Sequence, residues 1–256
     1  VKLLTVAGLT GCFLFTSCRS AQETTARYEI SKVEGNMITI DSTWDANPDK
    51  KATTVLKPYK DKVDAMMYEV IGTSEMKMDK GTPESLLSNL VASVLQEAAA
   101  QVLGKPADMG LVNMGGLRNI LPKGDITVGA VFEIRPFENS LCVLTMKGTD
   151  MKRLFKAIAS LHGEGVSGIR LEINKKGELL NATIGGKPVV DDQLYTVATI
   201  DYLADGNGRM DAFLQAEKRE CPEDATLRGL FLDYVRKQTA EGKIITSKLD
   251  GRITVK

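Results

Sequence analysis

Apolar residues recur along the chain in two rhythms. Leu86, Leu87, Leu90, Val91, Val94, Leu95 and Ala98 follow three- and four-residue steps, which predicts one face of a helix. Thr82 reads as its N-cap, Pro83 as its first residue and Gly104 as its end, with Asn89 and Ser93 on a more polar face. Val63, Met66, Met67 and Val70 show the same rhythm. So do Met151, Leu154, Phe155 and Ile158 behind a capping Thr149, and Leu227, Leu230, Phe231, Tyr234 and Val235 near the end. Strands are predicted at 108–114, 141–148, 195–203 and 252–256. The second, "LCVLTMKG", is apolar on both faces and so reads as central. Residues 168–186 read as a hairpin turning on Lys175-Lys176-Gly177, and 28–42 as a short strand pair around Gly35. Helices mixed with hairpins predict an α+β fold, a mixed sheet with packed helices, rather than regular βαβ winding.

The 256 residues suffice for one large domain or two small ones. Lysine and arginine balance aspartate and glutamate at 33 each, so nucleic acid is not an expected partner. The first residues change the picture more. Lys2 precedes an uncharged run from Leu3 to Phe15, too short to span a membrane comfortably, and "FTSC" follows. Residues 1–18 resemble a bacterial lipoprotein signal, in which Cys18 becomes the lipidated first residue of the mature chain; an ordinary secretory signal cut nearby is the alternative. Residues 19–27, "RSAQETTAR", read as a tether, which leaves 28–256 as the folded domain. This implies a lipid-anchored protein of the bacterial cell envelope, periplasmic or surface-exposed. Of the cysteines beyond the signal, Cys142 and Cys221, an exported compartment permits a disulfide. The apolar setting of Cys142 points instead to a buried free thiol.

Three stretches could carry chemistry. In "VNMGGLRN" a strand ends, two glycines let the backbone turn or approach a ligand, and Arg118 offers a fork for a phosphate or carboxylate. Asn113 offers both a donor and an acceptor. "IRPFENS" places Phe137 in a polar loop ending in Asn139. "TIDYLADGNGRMD" runs a strand into a loop of Gly, Asp and Asn with Tyr202 at its start. An EF-hand starting at Asp205 is excluded, since Met210 and Ala216 stand where glycine and glutamate are required. For each stretch alone, a plain turn or a core aromatic is the alternative.

Taken together, "NMGGLR", "GDITVG", "PFEN" and "TIDYLADGNG" resemble, in order and spacing, the C-terminal domain of the 5′-nucleotidase family, from about residue 53 to the C-terminus. The family pattern is Asn-x-Gly-Gly-Ile/Leu-Arg, Gly-x-Ile-Thr, Pro-Phe-x-Asn and Asp-Phe/Tyr-Leu-x-x-Gly. The resemblance implies recognition of a nucleotide or nucleoside. Phe137 and Tyr202 would sandwich the base, Arg118 would meet the phosphate, Asn113 would contact the nucleoside, and Asn139 would lie near the base edge. Asn207 falls, after a one-residue gap, where the family binds ribose hydroxyls with an acidic residue. Lys80 and Glu84 stand where family members carry further arginines. The family's enzymes also have an N-terminal metallophosphatase domain, whose two-metal site draws on several His, Asp and Asn ligands. This chain has one histidine, His162, expected to be a surface or capping residue. The resemblance therefore implies the substrate-binding half of a split hydrolase of nucleotide catabolism, not catalytic alone. This chain would hold no cofactor, and the divalent metals would sit on a separate metallophosphatase partner. A stand-alone nucleoside-binding lipoprotein and a degenerate structural lipoprotein are the alternatives.

Overall fold

The computed structural model describes residues 29–256. The signal, Cys18 and the whole tether lie outside the described residues. Residues up to Asp49 belong to one unit and Lys50–Lys256 to a second. In the first, the strand pair expected around Gly35 does not form among the described residues; the only regular element there is a 3-10 turn, Ser42–Ala46, capped by the Asp41 carboxylate. A lone two-stranded hairpin is marginal in water, and Ile30, Val33, Met37, Ile38 and Ile40 are all exposed.

The second unit opens with α1 (Lys50–Met67), which buries no side chain, then β1 (Val70–Ser74), α2 (Leu86–Ala98), α3 (Ala100–Leu103) and β2 (Met109–Val112). Next come β3 (Gly124–Thr127), α4 (Val128–Ile134), β4 (Leu141–Lys147), α5 (Gly148–Ser160) and β5 (Gly165–Ser167). The chain continues through β6 (Ile169–Ile173), β7 (Leu179–Ile184), β8 (Lys187–Pro188), β9 (Leu194–Ile200) and the one-turn α6 (Asp201–Ala204). It ends with β10 (Lys218–Glu220), α7 (Leu227–Ala240) and β11 (Ile253–Val255).

The fold is α+β with mixed sheets. One sheet runs β10-β4-β9-β2-β5, another β11-β6-β7-β8, and β1 pairs with β3 alone. β4 is interior, as its double-sided apolarity predicts, and β2 lies parallel to β9 while the other pairs of that sheet are antiparallel. Helix α2 covers β2, β5 and β9, and α5 touches both larger sheets. Gly110 lets α2 lie directly on β2: a Cβ there would come within 2.2 Å of the Ala92 carbonyl oxygen.

Several element starts differ from expectation. Helix α2 begins after Ser85, whose hydroxyl accepts the Ser88 N–H, not at Thr82 and Pro83. Residue 84 is held elsewhere, since its carboxylate accepts from the Asn89 amide and from the backbone N–H groups of Asp250 and Arg252. The same bond, with one to the Lys248 carbonyl, lets Asn89 be buried on the supposedly polar face. Thr149 is not a cap: β4 runs straight into α5, and the N–H groups of Gly148 and Thr149 bond to Gln193 and Asp191. Val70 leaves the helical pattern to open β1.

Cys142 is not a free thiol. It is joined to Cys221. The β4–β10 register pairs Val143 with Glu220, so the next residues outward, Cys142 and Cys221, face each other. The bond closes a loop across 79 positions. Cys221→Ser should therefore cost about 2–5 kcal/mol of stability. In urea titrations, reductant should lower the midpoint of the parent chain and leave that of the variant unchanged.

Candidate functional site

Strand register brings the three motif stretches to one place. In the antiparallel β4–β9 ladder Leu141 pairs with Ile200, so Asn139 and Ser140, just before β4, lie beside Asp201 and Tyr202, just after β9. Because β2 runs parallel to β9, its C-terminal end delivers Asn113 to the same edge. There Asn113, Gly115, Gly116, Phe137, Asn139 and Tyr202 line a cavity of about 400 Å³. That size is ordinary for a small-molecule site.

The glycine turn is a 3-10 turn, Met114–Gly116. Gly116 is required by close approach: a Cβ on it would lie 2.3 Å from Arg135 Nη1 and 2.7 Å from Asn113 Oδ1. Arg135 is fully buried and its Nη1 donates to the Gly116 carbonyl at 2.7 Å, while its Nε and Nη2 have no hydrogen-bond partner, nor does Asn113 Oδ1. Burial first, and the Arg228 charge second, hold the Arg135 pKa down to about 10 against the pull of Asp201. Arg228 reaches from α7 to clamp the Pro-Phe stretch. It donates to the Arg135 carbonyl at 3.2 Å, pairs with the Glu138 carboxylate and lies 4.1 Å from the Phe132 ring centroid.

Phe137 and Tyr202 are 44% and 43% exposed, so neither is a core aromatic. Tyr202 stands on α6 rather than at a strand end, and Asp201 Oδ1, in the first turn, accepts its N–H at 2.7 Å. The same oxygen accepts from Asn139 Nδ2 at 2.9 Å. Arg118 lies over the Phe137 ring, 5.8 Å from its centroid, and Lys80 Nζ donates to the neighbouring Leu117 carbonyl at 2.5 Å. Of the six residues singled out, four line the cavity and Arg118 stands over one wall. Asn207 is exposed on the loop after α6 and does not line the cavity, though Gly208 of that loop backs onto the Tyr202 ring. His162 is an exposed residue ending α5 with φ 59°. Among the described residues no three His, Cys, Asp or Glu stand close enough to hold a metal ion, so a two-metal centre does not fit them.

With that geometry in view, the family model for the 5′-nucleotidase C-terminal domain matches residues 70–215. The chain belongs to this family. It is 28% identical over 188 residues to Endonuclease YhcR of Bacillus subtilis, covering 70% of this chain and 15% of that protein. It is 27% identical over 240 residues to Cell wall protein Lmo0130 of Listeria monocytogenes, covering 82% of this chain and 30% of that one. The 5′-nucleotidase precursor of Thermus thermophilus superposes with a TM-score of 0.68 at 26% identity, over 82% of this chain and 44% of that structure. The chain thus spans less than half of each.

Motif reading missed Arg135, Asp201 and Glu164. Asp201 was adjacent to a named residue, but nothing local signals that it touches two walls at once. Glu164 precedes β5, whose register pairs Gly165 with Val112, so it arrives beneath the glycine turn and accepts the Met114 N–H. Burial raises its pKa from 4.5 to about 7, the Met114 bond opposing. A carboxyl raised on folding binds its proton more tightly in the native state. Its contribution is therefore full below pH 4.5 and is lost as pH rises to about 7. Glu164→Gln removes that loss and keeps an acceptor for Met114. Its stability should exceed the parent's by roughly 3 kcal/mol at pH 8, and the gap should close by pH 4.5, as read by chemical denaturation across pH.

Proposed function

We propose that the cavity takes the base of a nucleotide or nucleoside between Phe137 and Tyr202. The observation that carries this reading is the pair of two-fifths-exposed aromatics on one cavity with two asparagine amides. Stacking on an aromatic face is sequence-tolerant and contributes about 1–3 kcal/mol per base. Arg118 is the group for the phosphate, Asn113 contacts the nucleoside, Asn139 reads the base edge, and Asn207 meets a ribose hydroxyl from the loop after α6. Family membership supports the substrate-binding role.

On this reading the chain is the recognition half of a split 5′-nucleotidase, and a separate metallophosphatase supplies the divalent metals. An envelope location fits the cell wall relative from Listeria, and Cys18 is the proposed lipid attachment. The second reading is a stand-alone nucleoside-capturing protein.

Calorimetry of the chain from residue 19 onward with adenosine and AMP tests the cavity. Phe137→Ala and Tyr202→Ala should each weaken binding by about 1–3 kcal/mol with little change in unfolding temperature. Tyr202→Phe should bind as the parent does, because the ring face and not the hydroxyl stacks. Unchanged affinity in a destabilised Phe137→Ala variant would overturn the sandwich.

A further inference from the structure

We propose that Asp201 is a positioning residue that fixes which end of the Asn139 amide meets the cavity, so that the site selects a base with an N–H donor on its outer edge, such as the exocyclic amino group of adenine. The inference rests on the nucleoside-binding reading above.

A carboxamide has a donor end and an acceptor end of nearly the same shape, so its direction is set by its partner. At Asn139 the partner is unambiguous. Asp201 Oδ1 accepts the Tyr202 N–H at 2.7 Å, so this oxygen is an acceptor, and the Asn139 group facing it at 2.9 Å is Nδ2. Turning the amide over would set two acceptors against each other. The backbone leaves little slack, since the Asn139 carbonyl accepts the Leu227 N–H at 2.8 Å and the Ser140 carbonyl accepts the Asp201 N–H at 2.9 Å. Asn139 Oδ1 is then the end left for an occupant of the cavity.

Asp201 therefore does two things with one oxygen. It holds the backbone N–H of Tyr202, one wall of the cavity, and it sets the hydrogen-bonding polarity of Asn139, another part of the lining. A ligand edge with a donor meets an acceptor that is already oriented. An edge with no donor leaves that acceptor unpaired when it is desolvated, which is the basis of discrimination by polar sites.

Adenosine and purine riboside differ only in the exocyclic amino group. Calorimetry should find adenosine bound about tenfold more tightly by the parent chain, the scale of one net hydrogen bond. Asp201→Ala, which frees the amide to turn, should bring the ratio to within about twofold, and so should Asn139→Ala, which removes the acceptor and leaves Asp201 in place. Asp201→Asn keeps an oxygen for both N–H groups and should restore the parent ratio. A purely structural role for Asp201 would weaken both ligands together and leave the ratio alone. Equal binding of the two nucleosides to the parent, or a full ratio in Asp201→Ala, would overturn the inference while the nucleoside reading stands. Failure of the parent to bind either would sink that reading and this inference with it.

Discussion

The register of β4 against β9 is the constraint on which the site depends. Seven consecutive pairs, from Leu141 with Ile200 to Lys147 with Leu194, lock the segments that carry Phe137 and Tyr202 side by side. Both strands are largely buried on both faces, so a slip by one residue would send every side chain to the opposite face and disrupt the packing on each side. The parallel contact of β2 with β9 then brings the glycine turn to the same edge. Side chains far apart in sequence meet because strand ends do.

Around that frame, side-chain hydrogen bonds tie the segments of the cavity together. Arg228 grips the carbonyls of the Pro-Phe stretch, Arg135 holds the Gly116 carbonyl, and Asp201 ties Asn139 to Tyr202. These contacts leave the two aromatics about two-fifths exposed where they line the cavity, with Arg118 over the Phe137 ring. Asn207 is not part of the lining, although Gly208 of the same loop approaches the Tyr202 ring.

Periodicity made the long elements legible. The inward residues of α5, Met151, Leu154, Phe155 and Ile158, are all fully buried, and the hairpin of β6 and β7 forms around the expected Lys-Lys-Gly turn. Local signals failed where a distant partner decides. Thr82-Pro83 has the look of a helix start, yet Glu84 is bonded to residues 250 and 252, and it is Ser85 that caps the helix. Cys142 looked like a core thiol because its mate arrives through a strand pairing that no local pattern announces. At the site, the four motif residues Asn113, Phe137, Asn139 and Tyr202 were legible, and the structure brings them to one cavity. Those that position them, Asp201, Arg135 and Glu164, were not, because each acts through a contact fixed by the tertiary fold.

The turn beneath the cavity holds an unusual concentration of conflict. A buried guanidinium lacks partners for two of its nitrogens and faces a second arginine, a buried amide oxygen is unmatched, and a carboxyl is raised out of its normal range. Elsewhere the buried polar side chains Ser88, Asn89, Ser167 and Thr199 have hydrogen-bond partners. Local conflict of this kind clusters at functional sites more than in ordinary cores. Its thermodynamic counterpart is linkage: a ligand taken up by the folded cavity alone would be held by the fold and would, to the same degree, hold the fold together.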